Sequence, residues 1–139
     1  MLAGPDDAFG RHMFAWTYPG DRGRVRAVRA ALAPLLHDCP CADDALLVAS
    51  ELAANAAVHS RSAAPGGQFT VRADIRDGTC VWIEVEDQGG PWVRGETADD
   101  HPRGLDLVQA LAGDGNWGID GDPERGRVAW ARLAWVPDR

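Results

Sequence analysis

The 139-residue chain has no lysine; all fourteen of its basic residues are arginine. That excludes a lysine-bearing Walker phosphate loop and every mechanism that passes through a lysine Schiff base. Phosphate, if bound, must be met by backbone N–H groups, helix N-termini, arginine or a metal. Isoleucine (three) and asparagine (two) are also scarce, as expected of a GC-rich coding sequence, so Asn55 and Asn116 stand out. The three cysteines are an odd count and suggest no disulfide framework. His37, Cys39 and Cys41 lie close together, and with Cys80 they make a conceivable zinc set. The single residue between the two cysteines, Pro40, is tighter than zinc-knuckle spacing, which favours a turn with incidental thiols. Positive charge is in short supply. Fourteen basic against twenty-one acidic residues give a net charge of −7, which argues against binding nucleic acid by bulk charge. No apolar run approaches the roughly 18 residues needed to span a bilayer. The opening MLAGPDDAFGR lacks the basic and apolar parts of a signal peptide, so a cytoplasmic location is expected. Repeats and linkers are absent too.

What is present reads as one globular domain, 45% hydrophobic and 25% charged, over residues 12–136 behind a polar leader, 1–11. His12 to Tyr18 alternates as a strand, with Phe14, Trp16 and Tyr18 on one side, and stops at Pro19-Gly20. Val25, Val28, Leu32, Leu35 and Leu36 recur at helical spacing, which predicts an amphipathic helix over Arg22 to Leu36. A second, alanine-rich helix is expected from about Asp43 to Ser60, with acidic residues at the positive end of its dipole. Phe69 to Ile75 and Thr79 to Asp87 form a hairpin through a tight turn at Asp77-Gly78. Gln88 to Arg103, rich in Gly, Pro and Asp, reads as a mobile segment. A short helix over Gly104 to Leu111 and two strands, Asn116 to Asp120 and Gly126 to Trp135, complete the chain. Three helices and about five strands predict an α+β two-layer sandwich: a mixed, mostly antiparallel sheet with the helices on one face.

Three stretches carry chemistry. In ELAANAAVHS, spacing of four places Glu51, Asn55 and His59 on one helix face. A carboxylate beside a carboxamide on a helix of Ala and Leu is costly unless it faces a polar cavity, although a solvated stripe is the commoner explanation for such a pair taken alone. In EVEDQGGPW, an apolar strand delivers Asp87 into a Gly-Gly turn, where the glycines permit close backbone approach to a ligand. In HPRGLDLV, Gly104 opens a helix directly after the loop, so that free N–H groups are available to phosphate oxygens.

Together, in this order, these stretches resemble the boxes of the histidine-kinase-like (GHKL, Bergerat-fold) ATP-binding family. Within that family the chain is similar to the small bacterial anti-sigma factors that act as serine-protein kinases. ELAANAAVHS looks like the N box, EVEDQGGP like the adenine-binding Asp-x-Gly box, and RGLDLVQALAGDGNWG like the second glycine box; the resemblance runs from about Phe14 to Leu133. It implies ATP and Mg²⁺ as ligands. Asn55 would supply oxygen to Mg²⁺, and Glu51 would act as general base. Asp87 would accept the adenine amino hydrogens, with Gly89 leaving room for the purine. Arg103 and the N–H groups of Gly104 and Leu105 would meet the phosphates, with His59 beside them, and Pro91 to Arg103 would form the lid. The implied partners are a sigma factor and an anti-anti-sigma antagonist, with no nucleic acid or membrane in direct contact. The alternative is a nucleotide-binding module that has lost catalysis and regulates a partner by binding alone. Two departures bear on that choice. Pro102 stands in the second glycine box, and Gly126-Arg127-Val128 lacks the hydroxyl residue related ATPases often place near adenine.

Among the six tryptophans, Trp82 and Trp130 are expected on the sheet face opposite the helices, beside the Phe14, Trp16 and Tyr18 stripe. Exposed aromatics there would suit a homodimer or partner surface; partial burial under loops is the plainer expectation.

Overall fold

In the computed structural model, residues 11–60, 63–89, 105–122 and 125–136 are described. The elements run β1 (Arg11–Pro19), α1 (Arg24–Leu32), a 3₁₀ turn (Ala33–Leu36), α2 (Ala42–His59), β2 (Gln68–Arg76), β3 (Cys80–Asp87), α3 (Leu105–Ala112), β4 (Trp117–Asp122) and β5 (Gly126–Ala134). The strands form one sheet in the order β1-β2-β3-β5-β4. The expected α+β sandwich is therefore present. Its four strand pairings are all antiparallel, so the described sheet is not mixed.

Strand alternation decides which residues face the helices. Phe69, Val71, Ala73 and Ile75 of β2, Val81, Ile83 and Val85 of β3, and Ala129, Ala131 and Leu133 of β5 are buried beneath the helical layer. Helix α2 meets them with Ala45, Val48, Ala49, Leu52, Ala53, Ala56 and Ala57, all buried. Its alanines cover a wide arc with little volume, so the helix sits low over the central strand β3. Val28 and Leu32 of α1 and Val108 of α3 close the core on either side.

Three local features depart from the sequence expectation, each for a physical reason. The first helix tightens at Ala33 into a 3₁₀ turn with Pro34 in its first positions, because proline lacks the N–H that would continue the α-helical ladder. The β2–β3 connection pairs Arg76 with Cys80, one residue longer than a two-residue turn. Thr79 is held out of the ladder, its carbonyl accepting from the Trp135 N–H at 3.0 Å and its own N–H donating to Arg76 at 2.9 Å. Arg11, assigned to the leader, is the first residue of β1, and its guanidinium pairs with Asp74 at 2.7 Å.

The aromatic stripe lies on the other face from that expected. Phe14, Trp16 and Tyr18 stand opposite Ala73, Val71 and Phe69, so they point to the helical side. Tyr18 packs on Phe69 with ring centroids 5.7 Å apart, and burial pushes its phenol pKa up. Trp82 and Trp130 do occupy the open face. They stack at 4.7 Å with planes 2° apart, and Trp82 donates to Glu84 at 2.9 Å. Trp130 has this space because its neighbour on β4 is Gly118; a Cβ there would come within 3.0 Å of the indole nitrogen. Asn116 proves to be a turn residue. Its amide donates to the Ala112 carbonyl at 3.1 Å and its own carbonyl accepts from Arg132 N–H at 2.8 Å, tying the end of α3 to β5.

Candidate functional site

Of the polar residues predicted on α2, Asn55 is turned inward. Asn55 lies among Ala53, Ala56 and Ala57 and is only 2% exposed; Glu51, one turn earlier, is half-buried. The Asn55 Nδ2 is buried and has no hydrogen-bond partner among the described residues. An unpaired buried amide is expensive, and protein interiors rarely tolerate one without a ligand, ion or water to complete it. Rotation of the amide about χ2 exchanges its oxygen and nitrogen ends, so the same position presents either an acceptor or a donor. Its burial takes Asn55 out of a solvated stripe. His59 is the last residue of the same helix.

The second part of the site is the tip of β3. Asp87 continues the inward row of Val81, Ile83 and Val85 and is 4% exposed. Its Oδ1 accepts from the Gly89 N–H at 2.7 Å, which curls the chain back over the carboxylate. Gly89 sits at φ 81°, in the left-handed region where a side chain would be strained. Gln88 braces the turn from outside, its Oε1 accepting from the Gln68 N–H at 2.7 Å.

Sequence reasoning missed the residue facing Asp87. Arg127 of β5 is its register partner and points inward with Ala129, Ala131 and Leu133. Its Nε lies 3.4 Å from Asp87 Oδ1 and its NH2 group 3.5 Å from the Gly89 carbonyl, with the side chain buried. The stretch Gly126-Arg127-Val128 stood out only for its missing hydroxyl; the signal overlooked was a charged residue in the inward phase of an apolar strand. The tip of β3 therefore holds an ion pair, with the Asp87 carboxylate oriented by Arg127 and Gly89.

Leu105 begins α3, half-buried, and the helix is pinned to β4 by Gln109, which accepts from the Trp117 indole N–H and donates to Asp114. Arg103, Gly104 and the lid segment Pro91 to Arg103 lie outside the described residues, as does the side chain of His59. Thus α2 carries Glu51 and Asn55 across the strand whose end presents Asp87, while α3 packs beside α2. The zinc arrangement does not form. His37 is exposed, bonded to the Pro34 carbonyl and paired with Asp38, and among the described residues no three potential ligands gather.

The structure is thus an α+β sandwich with a buried asparagine on its central helix and a strand-tip aspartate turned inward. The match of residues 18–127 to the histidine kinase-like ATPase domain places it further: the chain belongs to that family. Among solved structures, it is similar to the RsbU and RsbW domains of Rv1364c from Mycobacterium tuberculosis, with 21% identity and a TM-score of 0.67. That likeness, which covers 91% of this chain and 33% of the other, is one of fold. The chain thus spans about a third of its structural neighbour's length. No curated protein matches it.

Proposed function

We propose that the chain is an ATP-binding regulator: an anti-sigma factor that acts as a serine-protein kinase on an anti-anti-sigma partner. The observation that carries the nucleotide site is the unpaired, 2%-exposed amide of Asn55, one turn from Glu51 on the helix that crosses β3. Buried polarity of this kind fits a hard cation and its phosphate oxygens, which the amide oxygen would complete. When bound, Mg²⁺ supplies positive charge that neutralises the triphosphate during transfer. Asn55 holds that ion; Glu51 takes the proton of the incoming serine hydroxyl. Asp87, fixed by Gly89 and Arg127, accepts from the adenine amino group. Arg103, Gly104, Leu105 and His59 are assigned to the phosphates. The choice of the anti-sigma class within the family rests on the sequence resemblance, and the neighbour containing an RsbW domain agrees with it in fold. No helix among the described residues is long and apolar enough to cross a membrane.

The decisive experiment incubates the protein with Mg-ATP and a candidate anti-anti-sigma protein and reads intact mass. One added phosphate on a partner serine, lost in Glu51→Gln while nucleotide binding persists, is the expected result. Mg-ATP binding without transfer to any partner would assign the chain to the other reading, a switch that works by binding alone. No binding of adenine nucleotides would remove both.

A further inference from the structure

Two thiols that the nucleotide site does not use lie against each other at the start of α2. Cys39 Sγ and Cys41 Sγ are 2.9 Å apart, and both residues are buried. An S–S bond is about 2.05 Å long, so roughly 0.9 Å of approach separates this contact from a covalent one. The turn that carries them is fixed. Cys39 N–H donates to the Leu36 carbonyl at 2.9 Å, Ala42 N–H to the Cys39 carbonyl at 3.1 Å, and Ala45 N–H to the Cys41 carbonyl at 2.9 Å. Pro40 between them removes further backbone freedom. Cys41 is the N-cap of α2 yet makes no side-chain cap bond; its sulfur faces Cys39 instead. The competing ligand for these thiols, His37, is turned away to Pro34 and Asp38.

We propose that Cys39 and Cys41 form a redox-active dithiol, a modification site that reacts with small external disulfides and closes into an intrachain disulfide. The two sulfurs have distinct parts. Burial pushes the Cys41 thiol up to about 12, with the hydrogen bond and charge of Cys39 adding to it; either sulfur can donate across the 2.9 Å contact, and in this scheme Cys41 holds the proton. Cys39 is therefore the attacking sulfur. Its thiolate displaces one thiolate from the external disulfide and forms a mixed disulfide on residue 39. The departing thiolate takes the Cys41 proton; Cys41 sulfur then attacks Cys39 Sγ and expels the second thiolate, which is protonated by water. Two electrons pass from the dithiol to the external disulfide, which leaves as two thiols. Asp38, Asp43 and Asp44 flank the turn, so a neutral disulfide is favoured over an anionic one.

The test equilibrates the whole chain with increasing ratios of bis(2-hydroxyethyl) disulfide to its thiol, then blocks free thiols with N-ethylmaleimide and reads intact mass and peptide map. Of the three free cysteines, Cys39 and Cys41 are expected to disappear together in a species lighter by two hydrogens, with Cys80 still alkylated. Cys41→Ser should accumulate the mixed disulfide on residue 39, and Cys39→Ser should accumulate several-fold less adduct. Alkylation of all three cysteines at every ratio, or oxidation only as cross-linked dimers, would overturn the proposal. The wild-type titration reads this without any variant having to fold.

Discussion

Asn55 carries a cost that the protein does not recover by itself. A buried amide atom without a partner among the described residues costs about 1–3 kcal/mol, a penalty that truncation to alanine removes and that offsets the cavity it leaves. Asn55→Ala should therefore leave the stability of the ligand-free protein within about 1 kcal/mol of wild type in urea titration. Its Mg²⁺-dependent nucleotide affinity should fall by tenfold or more in calorimetry. A residue kept for packing would show the reverse. Asp87 and Arg127 make the opposite case, since each is buried with the other as its charge partner. Removing the cation leaves a buried carboxylate, so Arg127→Leu should lose about 3 kcal/mol of unfolding free energy, measured by chemical denaturation. Sequence spacing put Glu51 and Asn55 on one face of a helix and Asp87 at a strand tip because helical and strand periods place residues on faces. It passed over Arg127 because an arginine in a strand usually belongs to the wet face, and only the β3–β5 register turns this one inward.

At the scale of elements, the edge strand β1 is tied at its start by the Arg11–Asp74 ion pair. Arg11 grips Asp74 through Nε and NH2 at 2.9 and 2.7 Å, and Arg76 adds a contact at 3.3 Å. Burial pushes the Asp74 carboxyl up, but the Arg11 hydrogen bond and charge, helped by Arg76, outweigh it and hold the pKa below the usual carboxylate range. A depressed folded-state value stabilises the fold above the unfolded pKa of about 3.9, and the gain is lost as pH falls through the folded value. Wild type should thus exceed Asp74→Asn by about 1 kcal/mol at pH 7, and thermal unfolding should show the two converging as pH drops below about 4. The elements themselves were legible in hydrophobic period and turn chemistry, to within a residue or two at most ends. The phase of β1 was not. Alternation separates Phe14, Trp16 and Tyr18 from Met13, Ala15 and Thr17, but pairing with Ala73, Val71 and Phe69 decides which set meets the helices.

Across the whole molecule, the proposed site draws on three elements far apart in sequence. Helix α2 brings Glu51 and Asn55, β3 brings Asp87, and β5 brings Arg127, each positioned by a core that covers one face of the sheet. The order of elements was enough to anticipate this sandwich, since short antiparallel connections leave few ways to stack such elements, while the family was anticipated only through the resemblance of the three boxes. The crossing of β5 between β3 and β4 could not be read that way, because hydrophobic period carries no information on strand order. A ligand that joins these elements must stabilise the folded chain as a unit, because the unfolded chain has no crevice to hold it. At one hundred times its dissociation constant, Mg-ATP should add about 2.7 kcal/mol to the unfolding free energy, a rise of roughly 10 °C in the thermal midpoint. The same concentration of nucleotide with EDTA should give a clearly smaller rise, since the Asn55 end would then contribute no metal contact. Asp87→Asn should lose most of the shift even with Mg²⁺ present, because the carboxylate is assigned to the base and acts without the ion. Equal shifts with and without the metal would place the nucleotide elsewhere than against α2.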